Sequence, residues 1–232
     1  MSRGFFVFAL TMAVMALGQT SAPTSQPPEF AKQLESIDRR AGEIKDLTAD
    51  FVQEKHSPLL RKPLVSRGRV SARGGQALWT TIEPEPTQMS VNSHLLRMYY
   101  PKQKTIEEYP MQQQLGMMAA SPLPRLSEIR KSFAMKPDEG QGLIDANNKS
   151  ANVLAVRMEP IDPELGKFVD HVRVLLDADR GLVLAFEMVD PDGEETTIRF
   201  SNVRTDANLT EDSLKVDAPP GTKVVRPLEG AR

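Results

Sequence analysis

The sequence predicts a mostly β, α+β fold in which an antiparallel meander carries one apolar face beneath helices. Between residues 46 and 110, short segments alternate apolar and polar residues, and turn signals recur about every 8 to 12 residues. The same alternation returns from residue 153 onward, and a helical apolar stripe precedes the first strand. Because such a sheet has one apolar face, whatever covers that face decides the function.

The composition describes an ordinary globular domain. The chain has 232 residues, of which 40% are hydrophobic and 26% charged, enough for one domain with a sizeable core. The formal net charge of −2 gives no electrostatic case for binding nucleic acid. The absence of Cys excludes disulfides, thiolate metal sites, a Cys nucleophile and a lipid-modified N-terminal Cys. The 11 Met residues suit an adaptable apolar surface, although Met also fills gaps in cores.

The N-terminus has the parts of a secretory signal peptide, predicted over residues 1–18. Arg3 supplies the basic region, an apolar run follows over 5–17, and small residues precede a cut after Gly18. A cut after Ala22 and an uncleaved membrane anchor are the alternatives, but the apolar run is short for a membrane span. Residues 19–28 are rich in Pro, Ser and Thr and are predicted to be a linker.

An amphipathic helix is predicted over residues 29–45. Its apolar residues fall at helical spacing and its charged residues occupy the other face. The stripe consists of Phe30, Leu34, Ile37, Ala41 and Ile44. Such a helix would lay its stripe on the sheet, and an ordinary packing helix predicts the same sequence.

Ten strands follow in two groups. They are predicted at 46–56, 64–73, 76–83, 87–92, 94–100 and 103–109, and then at 153–158, 168–176, 182–189 and 196–203. The segment Arg73–Gly74–Gly75–Gln76 predicts a tight hairpin, and Pro84 and Pro86 predict a strand break or a bulge. Two Asp-rich hairpin turns, 177–181 and 190–193, have too few ligands for a calcium loop.

Alternation stops between the two groups of strands, over residues 111–133. We expect two short helices or turns here, joined at Pro122 and Pro124 and packed over the sheet. Their apolar residues are Met111, Leu115, Met117, Met118, Leu126, Ile129 and Phe133.

No pattern in the chain calls for an enzyme, a metal or a cofactor. His56, His94 and His171 are far apart, and hydrolase, zinc and phosphate-loop motifs are missing. Asp170 and His171 are neighbours on a predicted strand, so we expect their side chains to face opposite ways and not to pair.

Several pieces of the first strand group carry a resemblance when their order and spacing are taken together. They are Leu47–Gln53, Pro63–Val70, Leu78–Trp79, Glu83–Pro86, the Val91 strand, Tyr99–Lys102 and Glu108–Pro110. In this order the sequence resembles the outer-membrane lipoprotein carriers, the LolA-like family. The resemblance implies a carrier domain over 29–226, with a tail at 227–232. It also implies a curved antiparallel half-barrel sheet covered by the N-terminal helix and a short helical lid.

The resemblance further implies an apolar cavity that takes acyl chains. The expected lining is Phe51, Val70, Trp79, Met89, Val91, Met98 and Tyr100, and the expected lid residues are Leu115, Met117, Met118, Leu126 and Phe133. For each of these residues a plain dry core is the alternative.

In the family, an arginine of the sheet hydrogen-bonds the lid backbone and holds the closed state. Arg73 matches it by its offset from Leu78 and Trp79, although Gly74 stands where the family has Pro. Arg69, on the same face of the same predicted strand, is the rival. A solvated hairpin arginine is the alternative reading.

The implied function is that of a soluble periplasmic carrier, monomeric and without a cofactor. It would take lipoprotein or other lipid cargo from an inner-membrane release complex to an outer-membrane acceptor. The second hypothesis is a lipid- or lipoprotein-sensing or binding module on the same scaffold. A lipid-active enzyme, the third, has no motif to support it.

Overall fold

The computed structural model describes residues 27–110, 123, 125–148 and 151–227. Helix α1 spans Pro28–Glu43, and the first strands are β1 (Asp46–His56), β2 (Leu64–Arg73), β3 (Gln76–Glu83), β4 (Thr87–Val91), β5 (Leu95–Tyr100) and β6 (Thr105–Pro110). A short helix α2 (Leu126–Ile129) comes next. The remaining strands are β7 (Phe133–Pro137), β8 (Val153–Pro160), β9 (His171–Asp177), β10 (Leu182–Val189), β11 (Glu195–Thr205) and β12 (Lys223–Val225).

All twelve strands belong to one open, curved sheet, in the order β12-β6-β5-β4-β3-β2-β1-β11-β10-β9-β8-β7. Strands β1–β6 form one antiparallel meander and β7–β11 form another. The two meanders join where β1 pairs antiparallel with β11. The last strand, β12, pairs parallel with β6 and covers that edge of the sheet.

Helix α1 defines what we call the inner face of the sheet, the face against which it packs. Its buried stripe is Phe30, Leu34, Ile37 and Ala41. Phe30, Leu34 and Ile37 share one hydrophobic cluster with apolar side chains of both meanders. Full burial of side chains such as Leu34 and Ile37 contributes about 1.5–3 kcal/mol each. The helix therefore covers part of the inner face.

Two polar contacts fix the position of α1. The guanidinium of Arg40 donates a hydrogen bond to the carbonyl oxygen of Ala178, in the turn between β9 and β10. Asp38 accepts a 2.7 Å hydrogen bond from the backbone N–H of Leu126, the first residue of α2. Helix α1 thereby connects the β9–β10 turn to the short helix that follows β6 in the chain.

The outer face carries a small second core over β8–β10. Leu143, Ala155, Leu175 and Ala185 form it beneath the segment 138–148. Beside it, Arg173 donates hydrogen bonds to Asp138, Glu187 and the carbonyl oxygen of Gln141. Because these contacts join the segment to β9 and β10, they fasten it to the outer face.

A C-terminal strap, residues 206–222, crosses the outer face of the first meander. The backbone N–H of Leu209 donates to Asp46 Oδ2 over 3.1 Å, and that of Asp217 donates to Gln88 Oε1 over 2.8 Å. Leu214 is buried at its middle. Beyond β12, Arg226 Nε donates to Glu108 Oε2 over 3.0 Å. The strap therefore ties β1 to β4, and Arg226 beyond it adds a contact to β6.

The predicted fold class is confirmed, since the structure has an N-terminal helix on an open, mostly antiparallel sheet. The Arg73–Gln76 hairpin is present, with Gly74 and Gly75 at φ 58° and 80°, a backbone conformation that glycine adopts readily. Pro84 and Pro86 separate β3 from β4 as predicted.

Two features differ from the sequence expectation. The helical spacing of Leu126, Ile129 and Phe133 is misleading, because the helix ends at Ile129 and Phe133 begins β7, paired with Pro160. Strand β7 itself was not predicted from the sequence.

The predicted signal peptide, most of the linker and most of the tail lie outside the described residues. No helix of the described part is long and apolar enough to cross a membrane.

Candidate functional site

Two apolar rows run across the inner face of the first meander. Register pairs place the side chains of each row next to one another, and both rows are apolar throughout. The first row is Ala49, Val70, Trp79, Met89 and Met98, and the second is Leu47, Ala72, Ala77, Val91 and Leu96. Five neighbouring strands therefore present a continuous apolar surface.

Aromatic rings extend this surface across the junction of the two meanders. Phe51 and Trp79 meet edge to face with ring centroids 5.2 Å apart, and Trp79 lies 5.9 Å from Phe200. Phe200 in turn lies 6.3 Å from Phe186. These spacings are in the range that favours aromatic pairs. The rings stiffen the centre of the inner face.

Burial decreases along the inner face towards β5. Phe51, Val70, Trp79 and Val91 are buried in the main hydrophobic cluster. Met89 is half-buried against that cluster. The next positions, Met98 and Tyr100, are also half-buried but lie outside it. The predicted lining therefore divides into a closed part around Trp79 and a partly open part on β4 and β5.

A polar edge follows the apolar rows on β6. Glu107 pairs with Met98 and accepts a 2.7 Å hydrogen bond from the hydroxyl of Tyr109. Burial, followed by the charge of Glu107, raises the pKa of Tyr100. The hydrogen bond to Glu107 raises the pKa of Tyr109. Both tyrosines therefore stay protonated at neutral pH.

Sequence reasoning missed this edge, although the alternation Thr105, Glu107, Tyr109 placed the three side chains on one face. Glu107 and Glu108 are neighbours in the sequence. The structure separates the two carboxylates, because Glu108 lies on the outer face between Arg97 and Arg226.

The predicted lid residues fall into two groups. Leu126 and Phe133 are buried in the main hydrophobic cluster. Leu115, Met117 and Met118 lie outside the described residues. The lid stays a prediction.

The two candidate latch arginines lie on the outer face, because Val70 and Ala72 beside them face inward. Arg73 donates a hydrogen bond to the carbonyl oxygen of Leu209 in the C-terminal strap. Arg69 Nε lies 3.2 Å from Asp50 Oδ1. Both have partners other than the segment 111–122, and the latch also stays a prediction.

One expectation about the histidines is wrong. His171 Nδ1 and Asp170 Oδ2 are 2.6 Å apart. Asp170 precedes β9, so the alternation of a strand does not hold its side chain on the opposite face. Within the described part of the chain, His, Cys, Asp and Glu form no group of three or more that could hold a metal.

Comparisons with known proteins agree with this geometry. A family model described as outer membrane lipoprotein carrier protein LolA matches residues 42–217. The outer-membrane lipoprotein carrier protein of Dechloromonas aromatica is 25% identical over 183 residues, covering 77% of this chain and 80% of that protein. The protein of the same name from Ralstonia nicotianae is 22% identical over 219 residues, covering 92% and 96%.

A solved structure gives the same fold. An uncharacterized conserved protein from Thermus thermophilus matches with a TM-score of 0.52 at 11% identity, covering 85% of this chain and 99% of that chain. At this identity the likeness shows the fold alone. The family model, by contrast, covers well over half of the chain. With its helix-covered sheet and apolar inner face, the chain belongs to the outer membrane lipoprotein carrier protein LolA family.

Proposed function

We propose that the protein is a periplasmic carrier that holds the acyl chains of lipoproteins, or of related lipids, and shuttles them from the inner to the outer membrane. The observation that carries the proposal is the apolar inner face, which is only half-buried at Met89, Met98 and Tyr100 on β4 and β5. A sheet built only to enclose a core would bury these side chains as fully as Trp79.

The energetics of this face suit reversible binding. Each buried CH₂ group of an acyl chain contributes about 0.8 kcal/mol, so a few chains supply high affinity. Release requires contacts that can rearrange at low cost, and Met side chains do so because they are unbranched and flexible. Met89 and Met98 are cross-strand partners on the open part of the face. We expect cargo to enter there, away from α1.

The remaining parts of the proposal rest on family membership and on the sequence. The segment 111–122 follows β6 directly and would close over the cargo through Leu115, Met117 and Met118. An inner-membrane complex would load the carrier and an outer-membrane acceptor would unload it. LolA-family carriers are not enzymes, and we propose no catalytic activity for this chain.

Native mass spectrometry of the exported protein tests the proposal. The protein would be purified gently from the periplasm of its own cells. We expect bound masses that match acylated lipoproteins or free lipids, which would also identify the cargo. A protein that carries no mass and takes up no acylated peptide would overturn the carrier proposal and favour a sensing or binding module.

A pair of variants locates the cargo. Met98→Asp places a charge on the open part of the inner face, so we expect acylated peptide to bind at least about tenfold more weakly. Ser90→Asp is the matched control, because Ser90 adjoins Met89 on β4 and faces the outer side. Equal binding by the two variants would place the cargo elsewhere.

A further inference from the structure

Exposed apolar side chains collect at one end of the sheet. We call this end the rim; it is where β1, β3, β5, β8 and β10 end and their antiparallel partners begin. The described residues include eight strongly exposed large hydrophobic side chains, and six of them lie at the rim. These six are Leu59, Leu60, Leu64, Ile82, Ile161 and Phe168. Single exposed leucines are common, but such a concentration indicates an interaction surface.

The densest part of the rim, which we call the rim patch, consists of Leu59, Leu60, Leu64 and Ile82. Leu59 is 91% exposed, Leu64 57%, Ile82 54% and Leu60 44%. Leu59 and Leu60 lie in the loop between β1 and β2, and Leu64 is the first residue of β2. Ile82 lies on the adjoining strand β3, where the pairing between β2 and β3 shifts register. The four side chains thus lie on neighbouring strands and their loop, near the middle of the rim.

The charges of the same loop favour a negatively charged partner. Arg61 and Lys62 follow Leu60 directly and are exposed. Among the described residues, no ion pair involves either side chain.

Three acidic side chains near the patch are paired with lysine or arginine. Glu83 lies 3.8 Å from Arg67, and Glu85 lies 2.7 Å from Lys102. Glu194 of the β10–β11 turn lies 2.6 Å from Lys55. The unpaired positive charge therefore belongs to the loop that also carries Leu59 and Leu60.

We propose that the rim patch docks the protein on a phospholipid membrane surface that contains anionic lipid. Leu59 and Leu60 enter the boundary between headgroups and acyl chains, and Arg61 and Lys62 contact lipid phosphates. Apolar side chains next to basic ones are the combination that holds proteins in this interfacial layer. The partner is a lipid bilayer because an apolar loop tip flanked by cations suits a fluid, anionic surface.

Docking would be reversible and confined to the patch. Asp190 and Asp192, in the neighbouring β10–β11 turn, place negative charge on another part of the rim. We therefore expect one loop and its flanks to touch the membrane rather than the whole rim. The inference is independent of the proposed carrier function, since docking at the rim needs no cargo on the inner face.

Vesicle flotation of the purified exported protein tests the inference. The vesicles contain phosphatidylethanolamine and phosphatidylglycerol. We expect the wild-type protein to float, and Leu59→Asp with Leu60→Asp to lower the bound fraction at least about tenfold. Arg61→Glu with Lys62→Glu should lower it several-fold, and vesicles without phosphatidylglycerol should do the same to the wild type. Ile144→Asp is the matched control, because Ile144 is 41% exposed but lies in the outer-face segment 138–148.

Three results would overturn the inference. The first is a wild-type protein that stays at the bottom of the gradient. The second is equal flotation of the Leu59 and Leu60 variant and the Ile144 control. The third is a change of oligomeric state in the patch variant without a change in flotation, because a second copy of this chain would then cover the patch. Native mass spectrometry of the patch variant distinguishes membrane docking from the carrier function. The variant should still carry bound lipid on its inner face although it no longer floats with vesicles.

Discussion

At the scale of single residues, Gly68 is the position on β2 that tolerates no side chain. A Cβ atom there would meet the backbone carbonyl oxygen of Thr80 and would lie 2.9 Å from the ring of Phe51. Because the carbonyl belongs to the adjacent strand, it cannot move aside without breaking sheet pairing. We predict that Gly68→Ala lowers the free energy of unfolding by about 1–3 kcal/mol, measured by urea denaturation.

Gly42 provides the opposite case within the same chain. It lies in α1, and a Cβ atom there would meet nothing within 4 Å. Since alanine is favoured over glycine inside a helix, Gly42→Ala should raise the free energy of unfolding by about 0.5–1 kcal/mol. Equal effects of the two substitutions would mean that the ring of Phe51 does not lie over Gly68.

Alternation sorts the side chains of one strand between two faces, but only the register pairs place Trp79, Met89 and Met98 of three strands on the same face. In the sequence, their grouping rested on the family resemblance. Alternation also could not tell which of them is buried. The difference between Trp79 and Met98 depends on where α1 and the β1–β11 junction lie, and neither is encoded by neighbouring residues. The rim patch could not be predicted from the sequence for a similar reason. Leu59 and Leu60 lie in a loop, and only the fold shows that no other segment covers them.

At the scale of elements, the side chain of Asp38 on α1 caps the N-terminus of α2. Its carboxylate accepts the hydrogen bond of the Leu126 N–H, and α2 has no capping side chain of its own. Removing such a cap costs about 0.5–2 kcal/mol. We predict that Asp38→Ala destabilises the protein by this amount and accelerates amide hydrogen exchange over 126–129. Glu35→Ala, an exposed change on the same helix, should do neither.

Element type itself was predictable where the apolar pattern was long. The stripe of α1 extends over four turns, and the strands of both meanders alternate for five residues or more. The pattern failed at Phe133, because spacings of three and four residues over one short stretch fit a helix and a strand start equally well. Phe133 is in a strand because it pairs with Pro160 on β8. That pairing is a long-range contact, which the local spacing does not show.

At the scale of the whole molecule, two outer-face carboxylates are held ionised by arginines, Glu108 on β6 and Asp138 directly after β7. A hydrogen bond from Arg226 lowers the pKa of Glu108 against the effect of burial, and Arg97 lowers it further. Burial acts to raise the pKa of Asp138, but hydrogen bonds from Arg173 and Gly140 outweigh it, so that its pKa also lies below the usual value. Both groups are more acidic in the folded protein than in the unfolded chain.

The sign of the pH dependence follows from these two pKa values. A carboxylate with a lowered folded-state pKa stabilises the protein fully above its unfolded pKa, about 4, and this contribution is lost as the pH falls through the folded-state pKa. We predict that the free energy of unfolding is nearly constant between about pH 6 and 8 and falls steeply below about pH 4. Glu108 belongs to the first meander and Asp138 to the segment fastened on the second, so acid should weaken contacts of both meanders in the same pH window.

A double variant isolates this effect. Glu108→Gln with Asp138→Asn removes both charges, so the protein should be less stable at pH 7 by about 1.5–3 kcal/mol for each charged hydrogen bond lost. Its stability should then fall less between pH 7 and pH 3 than that of the wild type, because there is less proton uptake on unfolding. Urea denaturation at a series of pH values measures both quantities, with Glu35→Gln as an exposed control. An unchanged slope in the double variant would place the acid sensitivity in other carboxylates.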